Sequence, residues 1–420
     1  MAEPTHDYTL LKADRLIDAS NGPTIDGAAL LISGDEIAAM GRQADVSAPD
    51  GASVREIDYG DATILPGLVD CHTHLCAPGD GTPGDEISKE DHQILLLQAA
   101  KNARTILHSG VTTIRENGSA GSTTINLKEG IRRGLAVGPK MVICGRPLAI
   151  TGGHMGYWGS EVNGPWEART EVRQLLKEGA DYIKITATGG STRTSDPNIA
   201  SFTVTELLAI TEEAHNHGVL TAAHCTSAQG VQNCLDAEVD MIIHCEFNEP
   251  DGTTVERPDL IERLIEANAW VNPTLHVRRA AIRATEDRKS EGAFSKDEQL
   301  ALDDQYRGLD ARVKAVGEMI GQGVKMVAGS DSPWGHYAPG EFVYEMEMLT
   351  EAGLSNGDAL LSGTAWSAAS IGADGDSGSL EVGRQADILV AGGDPLQGMP
   401  ALWNVRDVFQ AGEVVQRQVK

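Results

Sequence analysis

Short apolar runs broken by turns open the chain: Tyr8-Thr9-Leu10-Leu11, then Ala28-Ala29-Leu30-Leu31-Ile32 ahead of Ser33-Gly34-Asp35, then Val54-Arg55-Glu56-Ile57. The pattern returns after residue 378, in Ala386-Asp387-Ile388-Leu389-Val390 and Val405-Arg406-Asp407-Val408-Phe409. Gln410-Ala411-Gly412-Glu413 supplies the turn before Val414-Val415. Short runs with turn residues between them predict strands and hairpins. Chain ends commonly lie close in space, so residues 1–63 and 378–420 are expected to build one small β-sandwich domain.

Residues 64–377 have another rhythm. Eight apolar runs read as strands: Thr63–Cys71, Val111–Glu116, Lys140–Cys144, Tyr182–Ala187, Leu220–Cys225, Met241–Cys245, Trp270–Leu275 and Lys325–Ser330. Segments of helical period lie between them. Asp91–His108 carries apolar residues at Ile94, Leu95, Leu97, Ile106 and Leu107 and stops at Gly110. Thr203–His217 opens with Thr203-Val204-Thr205-Glu206, the pattern of a reciprocally capped start, and stops at Gly218. Strands alternating with helices predict a parallel sheet, and eight such units in a row fit a closed (β/α)8 TIM barrel. The fold class expected is therefore α/β, a barrel over 64–377 with the small β-domain at its side.

Composition narrows the partners. Of the 420 residues 41% are hydrophobic but only 4% aromatic, so aliphatic side chains must fill the core. Asp and Glu outnumber Lys and Arg by 61 to 34, for a formal charge of -27. Such a surface repels phosphate backbones and anionic lipid, which disfavours nucleic acid and membranes and leaves a small-molecule partner. No apolar run reaches the ~20 residues of a spanning helix, and Met1-Ala2-Glu3-Pro4 does not open a signal peptide. A cytoplasmic location is expected. The six cysteines, Cys71, Cys76, Cys144, Cys225, Cys234 and Cys245, mostly lie in apolar runs and form no Cys-x-x-Cys pair. They read as buried, reduced thiols.

The chemistry concentrates at strand ends. Leu65-Pro66-Gly67-Leu68-Val69-Asp70-Cys71 runs into His72-Thr73-His74. Residues i and i+2 of a strand share a side, so both imidazoles reach one point, and imidazole is the commonest side-chain metal ligand. His224 closes the fifth run and His244 the sixth. Lys184 sits inside the fourth, where an ammonium is costly. It either pairs with a carboxylate, or loses its proton and takes up carbon dioxide as a carbamate able to bridge two cations. Asp331 follows the eighth run and can bind a metal or accept a proton from water.

The order His-x-His, Lys, His, His, Asp over eight strand–helix units resembles the amidohydrolase superfamily. It is most similar to the branch related to imidazolonepropionase, with Xaa-Pro and Xaa-Arg/Lys dipeptidases and ochratoxin- and molinate-type hydrolases. Gly378-Ser379-Leu380-Glu381-Val382-Gly383-Arg384-Gln385-Ala386-Asp387 resembles that family's return into the small domain. The resemblance implies that His72, His74 and Asp331 bind one divalent ion and that His224 and His244 bind a second. Carboxylated Lys184 and a hydroxide would lie between them. Zinc is the expected metal, and cobalt or manganese accept the same donors. It further implies a homo-oligomer that hydrolyses a C–N bond, with Asp331 as proton carrier and His154 beside the substrate carbonyl.

Around this set, Thr188-Gly189-Gly190-Ser191 resembles the family's Gly-Gly loop, whereas Thr192-Arg193-Thr194-Ser195 departs from its apolar continuation. Arg278 or Arg279 can grip a substrate carboxylate or stay solvated. Trp334, His336 and Tyr337 can wall a pocket or simply pack, with Tyr337 the substrate candidate. A dipeptide or N-acyl amino acid is the expected substrate, with a carbamate, thiocarbamate, urea or cyclic amide as the alternative. A purine or pyrimidine deaminase would lack the strand-four lysine, and a non-catalytic barrel would have lost part of the ligand set.

Overall fold

The computed structural model describes residues 6–20, 22–292 and 294–417. The N-terminal strands are β1 (Tyr8–Leu16), β2 (Ile25–Ser33), β3 (Glu36–Arg42), β4 (Val54–Asp58) and β5 (Ala62–Pro66). The inner strands are β6 (Leu68–Thr73), β7 (Val111–Glu116), β8 (Lys140–Ile143), β9 (Leu148–Ala149), β10 (Ser160–Glu161), β11 (Ile183–Thr186), β12 (Thr221–Ser227), β13 (Met241–Asn248), β14 (Trp270–Asn272) and β15 (Lys325–Met326). The chain ends in β16 (Ile388–Gly392), β17 (Val405–Gln410) and β18 (Glu413–Val414). Every predicted inner run contains a strand, and helices fill the intervals.

The terminal runs meet in one eight-stranded sheet, ordered β18-β17-β16-β5-β1-β2-β3, with β4 on β1. Strand β16 lies antiparallel on β5, Ile388 facing Pro66 and Val390 facing Ile64. Leu11, Leu30, Ile64, Ile388 and Phe409 form this sheet's apolar face. The two chain ends therefore complete each other.

The predicted strand Thr63–Cys71 is two strands. β5 pairs in the terminal sheet, and β6 pairs with β7 in the inner one. The break falls at Gly67, where an added Cβ would stand 2.1 Å from Thr112 Oγ1, so only glycine lets the chain cross between sheets there. Two other runs are shorter than expected. β14 stops at Asn272 because Pro273 offers no N–H and Thr274 turns left-handed at φ 50°. β15 covers only Lys325–Met326: the Val327 N–H still donates to Val271 of β14, but the Ala328 N–H turns away to the Ser362 carbonyl.

All inner pairings are parallel, in a seven-stranded run β10-β9-β11-β12-β13-β14-β15 and a three-stranded run β6-β7-β8. Asp331 N–H donates to the His72 carbonyl at 2.8 Å and His74 N–H to the Ser332 carbonyl at 2.8 Å, joining β6 to the segment after β15. At the opposite junction Asp181 N–H donates to the Ile143 carbonyl at 2.7 Å. Alternate residues of these strands enter different apolar clusters. Met241 and Ile243 pack inward with Val69, Tyr182 and Ala222, while Ile242 packs with the helices. Burial on both faces explains why the inner runs read as continuous apolar stretches.

The helix His92–His108 buries Leu95, Ala99, Ala103, Ile106 and Leu107, whereas Ile94 and Leu97 face solvent. Thr203 and Glu206 cap Val204–Asn216 reciprocally, as their spacing predicts. All six cysteines are buried and free. Among the described residues, no helix is long and apolar enough to cross a membrane.

Candidate active site

A cavity of about 330 Å³ opens at the C-terminal ends of the inner strands, and His72, His74, Lys184, His224, His244 and Asp331 all line it. Several are delivered from irregular backbone. His244 (φ 62°) and Asp331 (φ 63°) are left-handed non-glycine residues. The turn at His244 breaks the alternation of β13, which is how its ring reaches the cavity although Met241 and Ile243 occupy the inward phase. The register of β6 on β7 also shifts between Asp70 and Thr73, just where the His-x-His begins. Backbone strain of this kind persists where the surroundings over-determine it.

Hydrogen bonds fix the proton on His72, His224 and His244, whereas the buried His74 Nδ1 has no hydrogen-bond partner among the described residues. His72 Nδ1 is 2.9 Å from Asn272 Oδ1, and the Asn272 amide is oriented by Nδ2 donating to the Gly329 carbonyl at 3.1 Å. An amide oxygen only accepts, so Nδ1 carries the proton and Nε2 presents a lone pair. That lone pair lies 3.2 Å from Asp331 Oδ1 and 3.2 Å from His74 Nε2, and His74 Nε2 is also 3.2 Å from Asp331 Oδ1. The second pair repeats the logic. His224 Nε2 donates to the Gly189 carbonyl at 3.0 Å. His244 Nδ1 donates to Thr274 Oγ1 at 2.6 Å, whose own proton goes to the Pro273 carbonyl. The two remaining nitrogens, His224 Nδ1 and His244 Nε2, therefore face each other at 2.9 Å with lone pairs.

Electron-rich atoms in such contact repel unless a cation lies between them. Burial first, then neighbouring positive charge, holds His72, His224 and His244 far below the ordinary histidine pKa, so the rings are neutral donors. His72, His74 and Asp331 place three donor atoms within 4.8 Å of one another. These residues fit divalent cations.

Lys184 is 1% exposed, and its Nζ donates to Asn117 Oδ1 at 3.3 Å. Burial, reinforced by the Arg115 guanidinium and opposed by Asp331, lowers its pKa to about 7. An amine at that value is partly neutral near pH 7, the form that adds carbon dioxide.

His154 lies in the turn between β9 and β10, its ring centroid 4.5 Å from that of His224. Gly190 packs against it so closely that a Cβ would be 2.7 Å from the ring. Thr192 Oγ1 accepts the Met155 N–H at 2.9 Å and stands 3.1 Å from His154 Nδ1. Thr192, unusual for the resembled loop, thus orients His154.

The other loop candidates divide. Trp334 and Arg278 line the cavity, although Arg278 is bonded to Glu246 at 2.6 Å. Burial opposes ionisation of Glu246, but Arg278 and Arg312 outweigh it and hold its carboxyl below the ordinary value. Tyr337 is not a wall residue. It is fully buried, with its hydroxyl donating to the Glu341 carbonyl at 3.1 Å and its ring packed on His276. Arg279 is drawn off by Glu351, and His336 is exposed.

Sequence reasoning missed the residues that orient the donors. Asn272 and Thr274 flank Pro273 where β14 ends, a polar Asn-Pro-Thr that reads as a turn. Asp70, just before the His-x-His, accepts the N–H groups of His72 at 3.1 Å and Ser330 at 2.9 Å, and the Ser330 hydroxyl at 2.6 Å. It clamps β6 to the segment that carries Asp331. Glu345 accepts the N–H groups of Leu275 at 2.9 Å and His276 at 2.7 Å, holding the start of helix Leu275–Glu291.

The family profile described as the amidohydrolase family matches residues 63–415. Ochratoxinase from Aspergillus niger is 25% identical over 423 residues, covering 93% of this chain and 82% of its own length. Imidazolonepropionase from Symbiobacterium thermophilum is 25% identical over 424 residues, covering 91% of this chain and 90% of its own. A crystal structure of a Xaa-Pro dipeptidase with methionine bound in its active site superposes with a TM-score of 0.82 at 26% identity, covering 98% of this chain and 100% of that one. Because the profile match runs from β5 through every inner strand to the return into the terminal sheet, the chain belongs to the amidohydrolase family.

Proposed function

We propose that the protein hydrolyses an amide- or peptide-type C–N bond of a small molecule, using two divalent cations held by this cluster. The observation that carries the reading is the meeting of lone pairs at 2.9 Å between His224 Nδ1 and His244 Nε2, with a second such meeting at His72, His74 and Asp331. His72, His74 and Asp331 would hold one cation, and His224 and His244 the other. Lys184, carrying a carbamate, would offer an oxygen to each. Zinc, cobalt or manganese bound there would polarise a carbonyl and bring the pKa of water from about 15.7 toward 7.

The chain's own groups do the rest. Asp331 takes the proton of the attacking water and passes it to the leaving nitrogen. His154, a neutral ring held at the cavity, would hydrogen-bond the carbonyl oxygen through its ring N–H as negative charge develops there. Trp334 and Met155 close the cavity wall and limit bulk water.

We read the inner strands as a closed (β/α)8 barrel over 64–377, with 1–63 and 378–420 as a β-sandwich domain. Burial of both strand faces and the hydrogen bonds at the two junctions support that reading. A cavity at the strand C-termini suits it too.

Metal analysis and a substrate panel test the proposal. Two equivalents of divalent metal per chain are expected, with turnover of dipeptides or N-acyl amino acids that chelation abolishes and zinc restores. Full activity after rigorous chelation would end the reading. Turnover confined to carbamates, thiocarbamates, ureas or cyclic amides would keep the centre and change the substrate.

A further inference from the structure

A second cavity, of about 530 Å³, opens beside the first. It lies between the end of β13 and the long helix Lys296–Gln322, and the two cavities share Glu246 and Arg278 as wall residues. Phe247, Ile261 and Met319 give it a buried apolar floor. Arg257, Arg278, Arg312 and Lys314 line it against three carboxylates, a basic balance in a chain whose net charge is -27.

Arg312 is the informative residue. It is only 8% exposed, and its terminal nitrogens donate to neutral partners, the carbonyls of Cys245 (3.2 Å) and His244. Its Nε has no hydrogen-bond partner among the described residues. The nearest carboxylate oxygen in an ion pair with it, Glu246 Oε1, is 3.7 Å away and is engaged by Arg278 at 2.6 Å. A guanidinium has five donors, and two are used here. A cation so buried calls for an anion. Arg278 is 47% exposed and engages Glu246 through one terminal nitrogen, which leaves its other donors free for a second carboxylate while Glu246 stays in place.

We propose that this second cavity binds an apolar carboxylate, an aryl- or alkyl-alkanoate whose anion sits against Arg312 and Arg278 and whose body lies on Phe247, Ile261 and Met319. Resting on the hydrolase reading, the shared wall makes this acid the distal group of a substrate whose scissile bond lies in the first cavity. Its anchor would also bear on the first site, because Arg312 holds the carbonyl of His244.

Calorimetry with 4-phenylbutanoate and 4-phenylbutan-1-ol on the metal-loaded protein tests the site. The acid is expected to bind about tenfold or more tightly than the alcohol, as a charge-assisted contact requires. Ala315→Trp, which fills the cavity from a half-buried helix position, and Arg312→Met should each weaken the acid by about tenfold or more. Asp331→Asn should leave its binding unchanged. Equal binding of acid and alcohol, or full binding by Ala315→Trp, overturns the proposal. Loss of binding in Asp331→Asn also overturns it, by moving the acid to the first cavity. If Arg312→Met does not fold, Ala315→Trp still decides. The readout is binding, so a protein that cleaves no amide can pass this test, and an active amide hydrolase can fail it.

Discussion

Asn272 Oδ1 stands 2.9 Å from His72 Nδ1, across 200 positions of sequence, and sets which nitrogen of that ring is free. Asn272→Ala removes this constraint without touching a donor atom. Zinc affinity, measured by competition with a chromogenic chelator, is expected to fall about 10–100-fold, the usual loss when the partner of a liganding imidazole is deleted. Unchanged affinity would show that ring orientation is set elsewhere.

Asp331 contributes an oxygen to the cluster, and in the proposed reaction it also carries the proton. Asp331→Asn keeps the shape and loses the base. At equal metal content, kcat is expected to fall about 10²–10⁴-fold with KM changed far less. A variant with full metal content and near-normal kcat would remove the residue from proton transfer.

The lowered Lys184 pKa, about 7, has a definite sign. The amine is neutral above that value and protonated below it, and only the neutral form adds carbon dioxide. Reactivation of chelated protein by zinc should therefore need bicarbonate and slow markedly as pH drops from 8 to 6. Lys184→Met should abolish the bicarbonate dependence together with full metal uptake. Reactivation at one rate across that range, with or without bicarbonate, would contradict the carbamate.

Burial raises Glu345 from 4.5 to about 8, despite the two N–H groups it accepts. Between those values the folded chain keeps a proton that the unfolded chain releases. Unfolding free energy therefore falls as pH rises through that window, by up to about 1.4 kcal/mol per pH unit from this group. Glu345→Gln, whose amide nitrogen must face one of the two N–H groups, should lower stability overall and flatten that slope in denaturant titrations at pH 5, 7 and 9. An unaltered slope would place the proton uptake on another group.

Much of the arrangement could be read from the chain because the four histidines and Asp331 lie where apolar runs end. Lys184 is conspicuous as a charge inside Tyr182-Ile183-Lys184-Ile185. What stayed hidden acts through pairs distant in sequence. Asp70 looks like a polar interruption until Ser330 is found on it, and Thr274 looks like a turn until His244 leans on it. Strand ends also failed to declare themselves. The boundary at Gly67 depends on the proximity of Thr112, which no local pattern encodes. Tyr337 packs away from the cavity although it lies six positions after Asp331, since nearness in sequence does not say which way a side chain faces.

The pairing of β16 with β5 has a temporal side. During synthesis β5 emerges long before its neighbour, and Thr63 must wait for Gly393, 330 positions later, before its hydroxyl finds an acceptor. Until then the nascent chain exposes an open strand edge, the kind that invites pairing with other chains. Losing the last three strands would prolong that vulnerability indefinitely, so truncation there should show itself first as aggregation.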